Sequence, residues 1–102
     1  MPSVDQLEKL LAADPDDAFV LYGLAQEHAK QGHAERAVEF YDRCLKVDPA
    51  YCYAYYHKAR TLDTLGRREQ AIATLKAGAK QAQVVGDGHA LSEISALLDE
   101  WT

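Results

Sequence analysis

The feature that most constrains this chain is an internal repeat with a period of 34 residues. Identical residues recur after that step at several pairs of positions, among them Leu11 and Leu45, Asp14 and Asp48, Pro15 and Pro49, Tyr22 and Tyr56, Ala25 and Ala59, Gly32 and Gly66, and Ala37 and Ala71. A period of this length accommodates two helices and two turns, and such repeats are stacked units that bury a shared core between neighbours. The sequence therefore predicts a row of helix pairs within one domain.

The first predicted helix pair occupies residues 18–51. Apolar side chains spaced three and four residues apart predict one helix before the turn at Gly32 and a second helix after it, which ends at Pro49. Asp16 and Asp17 precede the first helix, where acidic side chains can cap free amide groups. The predicted inward positions of this pair are Leu21, Leu24, Ala25, His28, Ala29, Ala37, Val38, Tyr41, Cys44 and Leu45.

The same pattern restarts in the second half of the chain. A second helix pair over residues 52–85 turns at Gly66 and continues past Gln83, because no proline stands where the period would place one. Residues 88–101 carry an apolar stripe with polar residues opposite, which is how the end of a solenoid is capped. Residues 3–13 match the second helix of a unit and so form half a repeat. We predict six helices in all.

These units resemble the tetratricopeptide repeat. Small residues stand where the two helices of such a repeat approach closely, and both turn glycines fall between the helices. The resemblance covers almost the whole chain of 102 residues. It implies an all-α fold, a right-handed α-solenoid with an N-terminal half-repeat and a C-terminal capping helix. The residues that carry the resemblance are Leu21, Leu24, Ala25, Gly32, Ala37, Tyr41 and Pro49 in the first unit and Tyr55, Ala59, Leu62, Gly66, Ala71 and Leu75 in the second.

Three residues depart from the family pattern. His28 stands where an aromatic residue is usual, and we expect it to be a core residue with a polar tip. Cys44 replaces the usual alanine. Lys58 takes the place of a buried leucine, and because a buried unpaired ammonium is costly it must extend to solvent, find a partner, or lie on a less enclosed face.

A candidate binding surface follows from the resemblance, which implies that the first helix of each unit lines a concave groove. We expect aromatic rings to stack in rows along it, because Phe19 and Tyr22 are each followed by a tyrosine after one period. Tyr and Arg are favoured at binding hot spots, and Gly23 would let a ligand backbone approach closely. The groove is therefore predicted to bind a peptide segment of a partner protein. The predicted groove residues are Phe19, Tyr22, Gly23, Gln26 and Lys30 from the first unit and Tyr53, Tyr56, His57, Arg60 and Thr64 from the second.

The chemistry of the groove limits the kind of peptide. Some members of the family hold a partner's C-terminal carboxylate with lysines and asparagines, but Tyr22, Gln26 and His57 occupy the corresponding places here. The essential positive charge of that clamp is missing. Arg60, with Lys30 nearby, would still meet an acidic group on a ligand that the tyrosines anchor.

Two alternatives to peptide binding stay open. The aromatic rings would pack against one another or against the last helix and complete the core, because a small fold needs every apolar contact. Alternatively, the half-repeat leaves apolar surface exposed around Leu7, Leu10 and Leu11, and the chain forms a homo-oligomer through this edge.

Charge and hydropathy argue against nucleic-acid and membrane partners. The formal net charge is −5, and neither half of the chain holds a basic cluster that would displace counterions from phosphates. No apolar stretch approaches the roughly 20 residues that cross a bilayer. The first residues also lack a basic region followed by an apolar one, so we expect a cytoplasmic protein.

No short catalytic signature occurs in the sequence, and we predict neither an enzyme nor a cofactor. Cys44 and Cys52 lack CxxC spacing and are expected to be buried thiols of a cytoplasmic protein. His89 and Glu93 stand four residues apart with Asp87 nearby, but two or three ligands near a chain end rarely hold a metal ion. We therefore expect an ordinary helix start there.

Overall fold

Six α-helices account for nearly all of the structure, a computed structural model that describes residues 2–102. This confirms the predicted number of helices, and no strand occurs in the described residues. The helices are α1 (Val4–Ala13), α2 (Ala18–Lys30), α3 (Ala34–Val47), α4 (Cys52–Thr64), α5 (Arg68–Val85) and α6 (Gly88–Trp101).

Short polar side chains begin three of the helices. At the start of α1, the backbone N–H of Gln6 donates to Ser3 Oγ at 3.2 Å, and the backbone N–H of Ser3 donates to Gln6 Oε1 at 2.9 Å. These two hydrogen bonds form a reciprocal capping box. Asp17 caps α2 by accepting from the Val20 N–H, as predicted. Asp87 caps α6 in the same way. These caps fix where each helix begins, because they satisfy amide groups that have no partner inside the helix.

Each helix packs against the one before it, so the fold is a sequential stack. The helices of each predicted unit, α2 with α3 and α4 with α5, have the most extensive contacts. Gly32 and Gly66 adopt positive φ angles of 81° and 76° in the turns inside these pairs, which glycine tolerates best. The first helices of the units also touch, because α2 contacts α4 and α4 contacts α6. They therefore line one side of the stack together.

The buried interior follows the predicted pattern. In the first unit, the fully buried side chains include Leu21, Leu24, Tyr41 and Cys44. His28 is buried as well, with its ring stacked on Phe40 at 5.4 Å between centroids. Cys44 and Cys52 are both free and buried. The inward face of each helix is thus set by the spacing of its apolar residues.

Lys58 finds a partner across the boundary between the two units. Its Nζ lies 2.6 Å from Asp42 Oδ1 on α3, and its side chain is only 22% exposed. The Asp42 carboxylate offsets the cost of removing the Lys58 ammonium group from water. A residue that replaces an apolar core position therefore ties α3 to α4 through an ion pair.

The last helices close the stack. As predicted, α5 continues past Gln83 and ends at Gly86, which takes the left-handed conformation with φ of 74°. Ala90 and Ile94 of α6 are buried against the second unit. No helix in residues 2–102 is long and apolar enough to cross a membrane.

Candidate functional site

The surface that carries the predicted groove residues is formed by α2 and α4, with α6 beside α4. We call it the α2–α4 face. Its two helices carry all nine residues of the predicted peptide site together with Thr64, but the structure does not gather them into one groove. They lie in a half-buried aromatic cluster, at the exposed position of Phe19, at Gly23 against α1, and in an open cleft at the C-terminal ends of α2 and α4.

Tyr22 is held inside the chain rather than presented as a free ring. Its ring centroid lies 4.8 Å from that of Tyr51, 5.9 Å from His57 and 6.1 Å from Tyr41. The Gln26 side-chain amide donates to the Tyr22 hydroxyl at 3.2 Å. Burial, with smaller contributions from nearby titratable groups, raises the pKa of Tyr22 to about 12. This ring therefore contributes to stability, and only part of it is open to a ligand.

Tyr53 and Tyr56 form a second half-buried group that leans toward α6. Their ring centroids lie 6.5 Å apart, and the Tyr53 ring lies 6.2 Å from that of His89. The guanidinium of Arg60 sits 5.7 Å from the centre of the Tyr56 ring. The pKa of Tyr53 is raised, first by desolvation and then by the nearby Glu93 carboxylate. The last helix thus supplies partners to the tyrosines of α4.

The predicted rows of stacked rings are wrong in detail. Tyr22 faces Tyr51 and His57 rather than Tyr56, and Tyr53 pairs with Tyr56 within its own helix. The reason is that Tyr51, just before α4, and His57 on α4 occupy the space beside Tyr22, while Tyr56 turns toward Tyr53 three residues earlier on its own helix. The rings therefore form a continuous cluster across α2, α4 and α6 instead of parallel rows.

Phe19 and Gly23 lie apart from the other predicted residues. The Phe19 side chain is 73% exposed at the first turn of α2, which makes it the most accessible aromatic ring of the predicted set. Gly23 lies against α1, because a methyl group added there would meet Leu7 Cδ2 at 3.5 Å. Gly23 therefore serves the junction between α1 and α2, and close approach of a ligand backbone at this position stays a prediction.

An open cleft of about 480 Å³ lies where α2 and α4 end. It brings together four of the nine predicted residues, Gln26, Lys30, His57 and Arg60, while the other five lie outside it. Thr64, also expected on this surface, is part of the wall. The remaining lining residues are Ala29, Gly32, Ala34, Tyr41, Thr61, Asp63 and Trp101.

The cleft carries an excess of positive charge. Its one carboxylate, Asp63, accepts from Arg68 Nε at 2.6 Å, so its charge is already compensated. Among the ion pairs of residues 2–102, none involves Arg60. Lys30 is 60% exposed and lies 3.5 Å from Glu27. Burial, followed by the charge of Arg60, lowers the pKa of His57, which is therefore neutral near pH 7.

Sequence reasoning missed three contributors to this face. Tyr51 packs on Tyr22. The only sequence signal for this contact is weak: Tyr51, an aromatic residue, stands one period after the helix cap Asp17. Trp101 falls within the predicted apolar stripe of residues 88–101, but its side chain also lines the cleft. The Arg68 guanidinium lies 4.5 Å from the centre of its ring. Such contacts join residues far apart in sequence, which periodicity cannot reveal.

A second open cleft of about 580 Å³ lies on another part of the molecule. It is lined by Pro15, Asp16, Leu21, Arg43, Lys46 and Val47 and contains none of the predicted groove residues. Although it is larger, its walls combine one exposed carboxylate with two basic side chains and little aromatic surface. The α2–α4 face, with the exposed Phe19 and an Arg60 that has no carboxylate partner in the described residues, is therefore the better candidate site.

Cys44, His89 and Glu93 lie in surroundings that can be described individually. Burial raises the pKa of the Cys44 thiol to about 12, which keeps it protonated and poorly nucleophilic. His89 Nε2 lies 3.7 Å from Glu93 Oε1 on the surface of α6. Within residues 2–102, no group of three or more His, Cys, Asp or Glu side chains is placed to hold a metal ion.

Comparisons with known proteins agree with this architecture. The sequence pattern of the tetratricopeptide repeat matches residues 28–93. A TPR repeat-containing protein of Pseudomonas aeruginosa is 38% identical over 79 residues, which cover 78% of this chain and 68% of the relative. A tetratricopeptide repeat domain protein from Salinibacter ruber, solved by NMR, is 35% identical with a TM-score of 0.80 over 86% of this chain and 89% of that one.

A more distant structure shares the fold over nearly the full length. The TPR2B domain of yeast Sti1, solved as a complex with pHsp70, superposes with a TM-score of 0.90 over 96% of this chain and 78% of that one, at 23% identity. The repeat period, the stacked helix pairs and these similarities lead to one conclusion. The chain belongs to the tetratricopeptide repeat family.

Proposed function

We propose that this chain is a protein-interaction module that binds a peptide segment of a partner protein on the α2–α4 face. Tetratricopeptide repeat domains are generally non-catalytic interaction modules, which supports a protein partner. The TPR2B domain of yeast Sti1, which shares the fold, was solved as a complex with pHsp70. The proposal for this chain goes further, because it assigns the binding to one surface.

The observation that carries the proposal is the exposed side chain of Phe19 on the same helix as the open cleft. A phenylalanine with 73% of its surface in water contributes little to folding, and its large apolar area would be buried by a ligand. Arg60 at the other end of the face has no carboxylate partner within the described residues. Both side chains are therefore available for contacts that the folded chain does not itself supply.

Tyr22 is unsuitable for testing this surface. Its ring packs on three other rings and its hydroxyl accepts from Gln26, so the substitution Tyr22→Ala would lower stability and confuse the result. Phe19 has no such role. Val84, near the end of α5, has the same 73% exposure and lies off the α2–α4 face, which makes it a matched control.

Site-specific photocrosslinking tests the assignment. A photoreactive phenylalanine would replace either Phe19 or Val84, and both proteins would be irradiated in lysate of the source cells. We expect a discrete crosslinked polypeptide from position 19 and none from position 84. The product should weaken when Arg60→Ala is added. Equal crosslinking at the two positions, or none at position 19, would remove the α2–α4 face as the binding site.

Self-association through the N-terminal edge is a second candidate function. The prediction of an exposed edge is wrong for Leu7 and Leu11, because both are buried in the core of the first unit. Leu10 on α1 is 53% exposed and is the one of the three that a second copy of the chain could cover. The test is sedimentation equilibrium at micromolar concentrations with the wild-type chain and Leu10→Gln. A dimer that Leu10→Gln dissociates would support this function. A wild-type chain that stays monomeric would contradict it.

A further inference from the structure

The α2–α4 face has two chemically different ends. Phe19 marks the N-terminal end of α2, and Lys30 is the last residue of the same helix. Eleven residues separate them, which at a rise of 1.5 Å per residue is about 16 Å. An extended peptide advances roughly 3.3 Å per residue, so about five residues would bridge the two ends.

The charge of the molecule changes along this distance. The chain as a whole carries a net charge of −5, yet the cleft presents Arg60, which has no carboxylate partner within the described residues, and Lys30, which lies 3.5 Å from Glu27. Asp63 in the same cleft is paired with Arg68. The opposite end of the face carries a carboxylate instead, because Asp17 caps the first turn of α2 two residues before Phe19.

From this placement we propose that the partner segment carries an acidic side chain that binds between Lys30 and Arg60, and an apolar side chain about five residues away that covers Phe19. The inference rests on the proposed function, since it specifies the ligand of the same face. The reverse orientation would bring the acidic group next to Asp17, whose like charge repels it.

The neighbours of Arg60 favour a carboxylate over a neutral polar group. The guanidinium rests on the Tyr56 ring at 5.7 Å, which limits its freedom before a ligand arrives. A planar guanidinium can bind a carboxylate through two parallel hydrogen bonds. A carboxylate at the end of a peptide offers the same chemistry as an Asp or Glu side chain, so the experiment must separate these two sources.

Selection from a library of random dodecapeptides displayed on phage provides the probe. Wild-type chain should enrich peptides with Asp or Glu about five positions from an aromatic or branched aliphatic residue. The double substitution Lys30→Glu with Arg60→Glu should enrich basic peptides instead. Lys76→Glu changes the charge of an exposed residue on α5, off the α2–α4 face, and should select the same peptides as wild type.

Synthetic versions of an enriched peptide then measure the contribution of the charge. Replacing its acidic residue by the amide should weaken binding about fivefold, the effect of an exposed ion pair, and should reduce the dependence of affinity on salt. Amidating the peptide's C-terminus should leave the affinity unchanged. A loss on amidation with no loss at the internal residue would overturn the assignment to a side chain.

The outcomes separate this inference from the proposed function. Peptides that bind in a manner dependent on Phe19, but show no acidic preference and no change of selection with the charge-reversed chain, would overturn the inference and keep the binding face. Peptides that bind the Phe19→Ala chain as well as wild type would overturn both. Failure to enrich any peptide over a control without protein would also count against both.

Discussion

Where the first helix pair places Leu21 and Cys44, the second places Tyr55 and Gly78, each 34 residues further along. Leu21 and Cys44 are fully buried in their unit. In the second unit, a methyl group on Gly78 would lie 2.6 Å from Tyr55 Cβ, so the tyrosine occupies the space that the glycine leaves. A larger residue on one helix is matched by a smaller residue on the other. The period therefore conserves the space between helices rather than the residues that fill it.

A second pair of equivalent positions shows how the units differ in polarity. Leu24 is fully buried in the first unit, whereas Lys58 in the second reaches Asp42 on α3. The ion pair lies at the boundary between the units. At this position, an ion pair in the second unit therefore takes the place of the apolar packing of Leu24 in the first unit.

The largest expected effect comes from adding one methyl group to the second unit. Gly78→Ala would place Cβ only 2.6 Å from Tyr55 Cβ, and overpacking this severe costs about 3 kcal/mol, of which the better helix propensity of alanine offsets about 1 kcal/mol. We expect a net loss of about 2 kcal/mol in the free energy of unfolding and a midpoint lower by roughly 10 °C. Urea and thermal unfolding followed by circular dichroism would measure both.

The matched control makes the same change where there is room for it. Gly88→Ala, in the first turn of α6, would meet no atom within 4 Å and should cause no loss in the free energy of unfolding. Equal losses at the two positions would show that contact with Tyr55 is not the cause.

The next effect concerns the ion pair. Lys58→Leu introduces the apolar residue of the first unit and should raise the free energy of unfolding by about 1.5 kcal/mol, because a well-packed apolar side chain often exceeds a partly buried ion pair. Asp42→Asn should lower the free energy of unfolding of the wild-type chain, because it removes the partner of Lys58. In the Lys58→Leu chain, which has no ion pair to lose, the same substitution should have almost no effect. A loss of stability in Lys58→Leu would show instead that the α3–α4 boundary depends on the ion pair.

Much of the fold could be predicted because it depends on local spacing. The 34-residue period indicated helix pairs, and Gly32 and Gly66 indicated their turns, because these signals arise within one unit. The partner of Lys58 could not be predicted, since Asp42 belongs to the neighbouring unit. The same holds for Gly78, whose role appears only when Tyr55 is placed beside it.

The candidate site was less predictable than the fold for the same reason. Family spacing indicated which side chains point to one side of α2 and α4, and four of these residues meet in the cleft. The spacing could not show that Tyr51 would bury part of Tyr22, or that Gly23 would lie against Leu7. Those outcomes depend on contacts between helices and on the loop before α4.

A third effect separates the two units at their first residues. Asp17 accepts from the Val20 N–H at the start of α2, whereas Tyr51 at the equivalent position of α4 makes no capping hydrogen bond with its side chain. Asp17→Ala should therefore cost about 1 kcal/mol. Asp16→Ala is the control one residue earlier, and should have a smaller effect in the same urea unfolding experiment. Equal losses of unfolding free energy in Asp16→Ala and Asp17→Ala would mean that negative charge near the N-terminus of α2, and not the capping hydrogen bond of Asp17, is responsible.

The smallest effect should appear only in acid. Burial first, and then the charges of Arg36 and His33, lower the pKa of His28 from 6.5, and its Nε2 is buried without a hydrogen-bond partner. The folded state thus favours the neutral ring, so the contribution of His28 to stability is complete above pH 6.5 and is lost as the pH falls through its lowered pKa. The second unit has Leu62 at the equivalent position, which cannot titrate. His28→Leu should therefore lose less stability than wild type between about pH 8 and about pH 5, measured by urea midpoints, while replacing the exposed His89 by Gln should follow wild type. An identical acid loss in His28→Leu and wild type would assign the pH dependence to carboxylates that both units share.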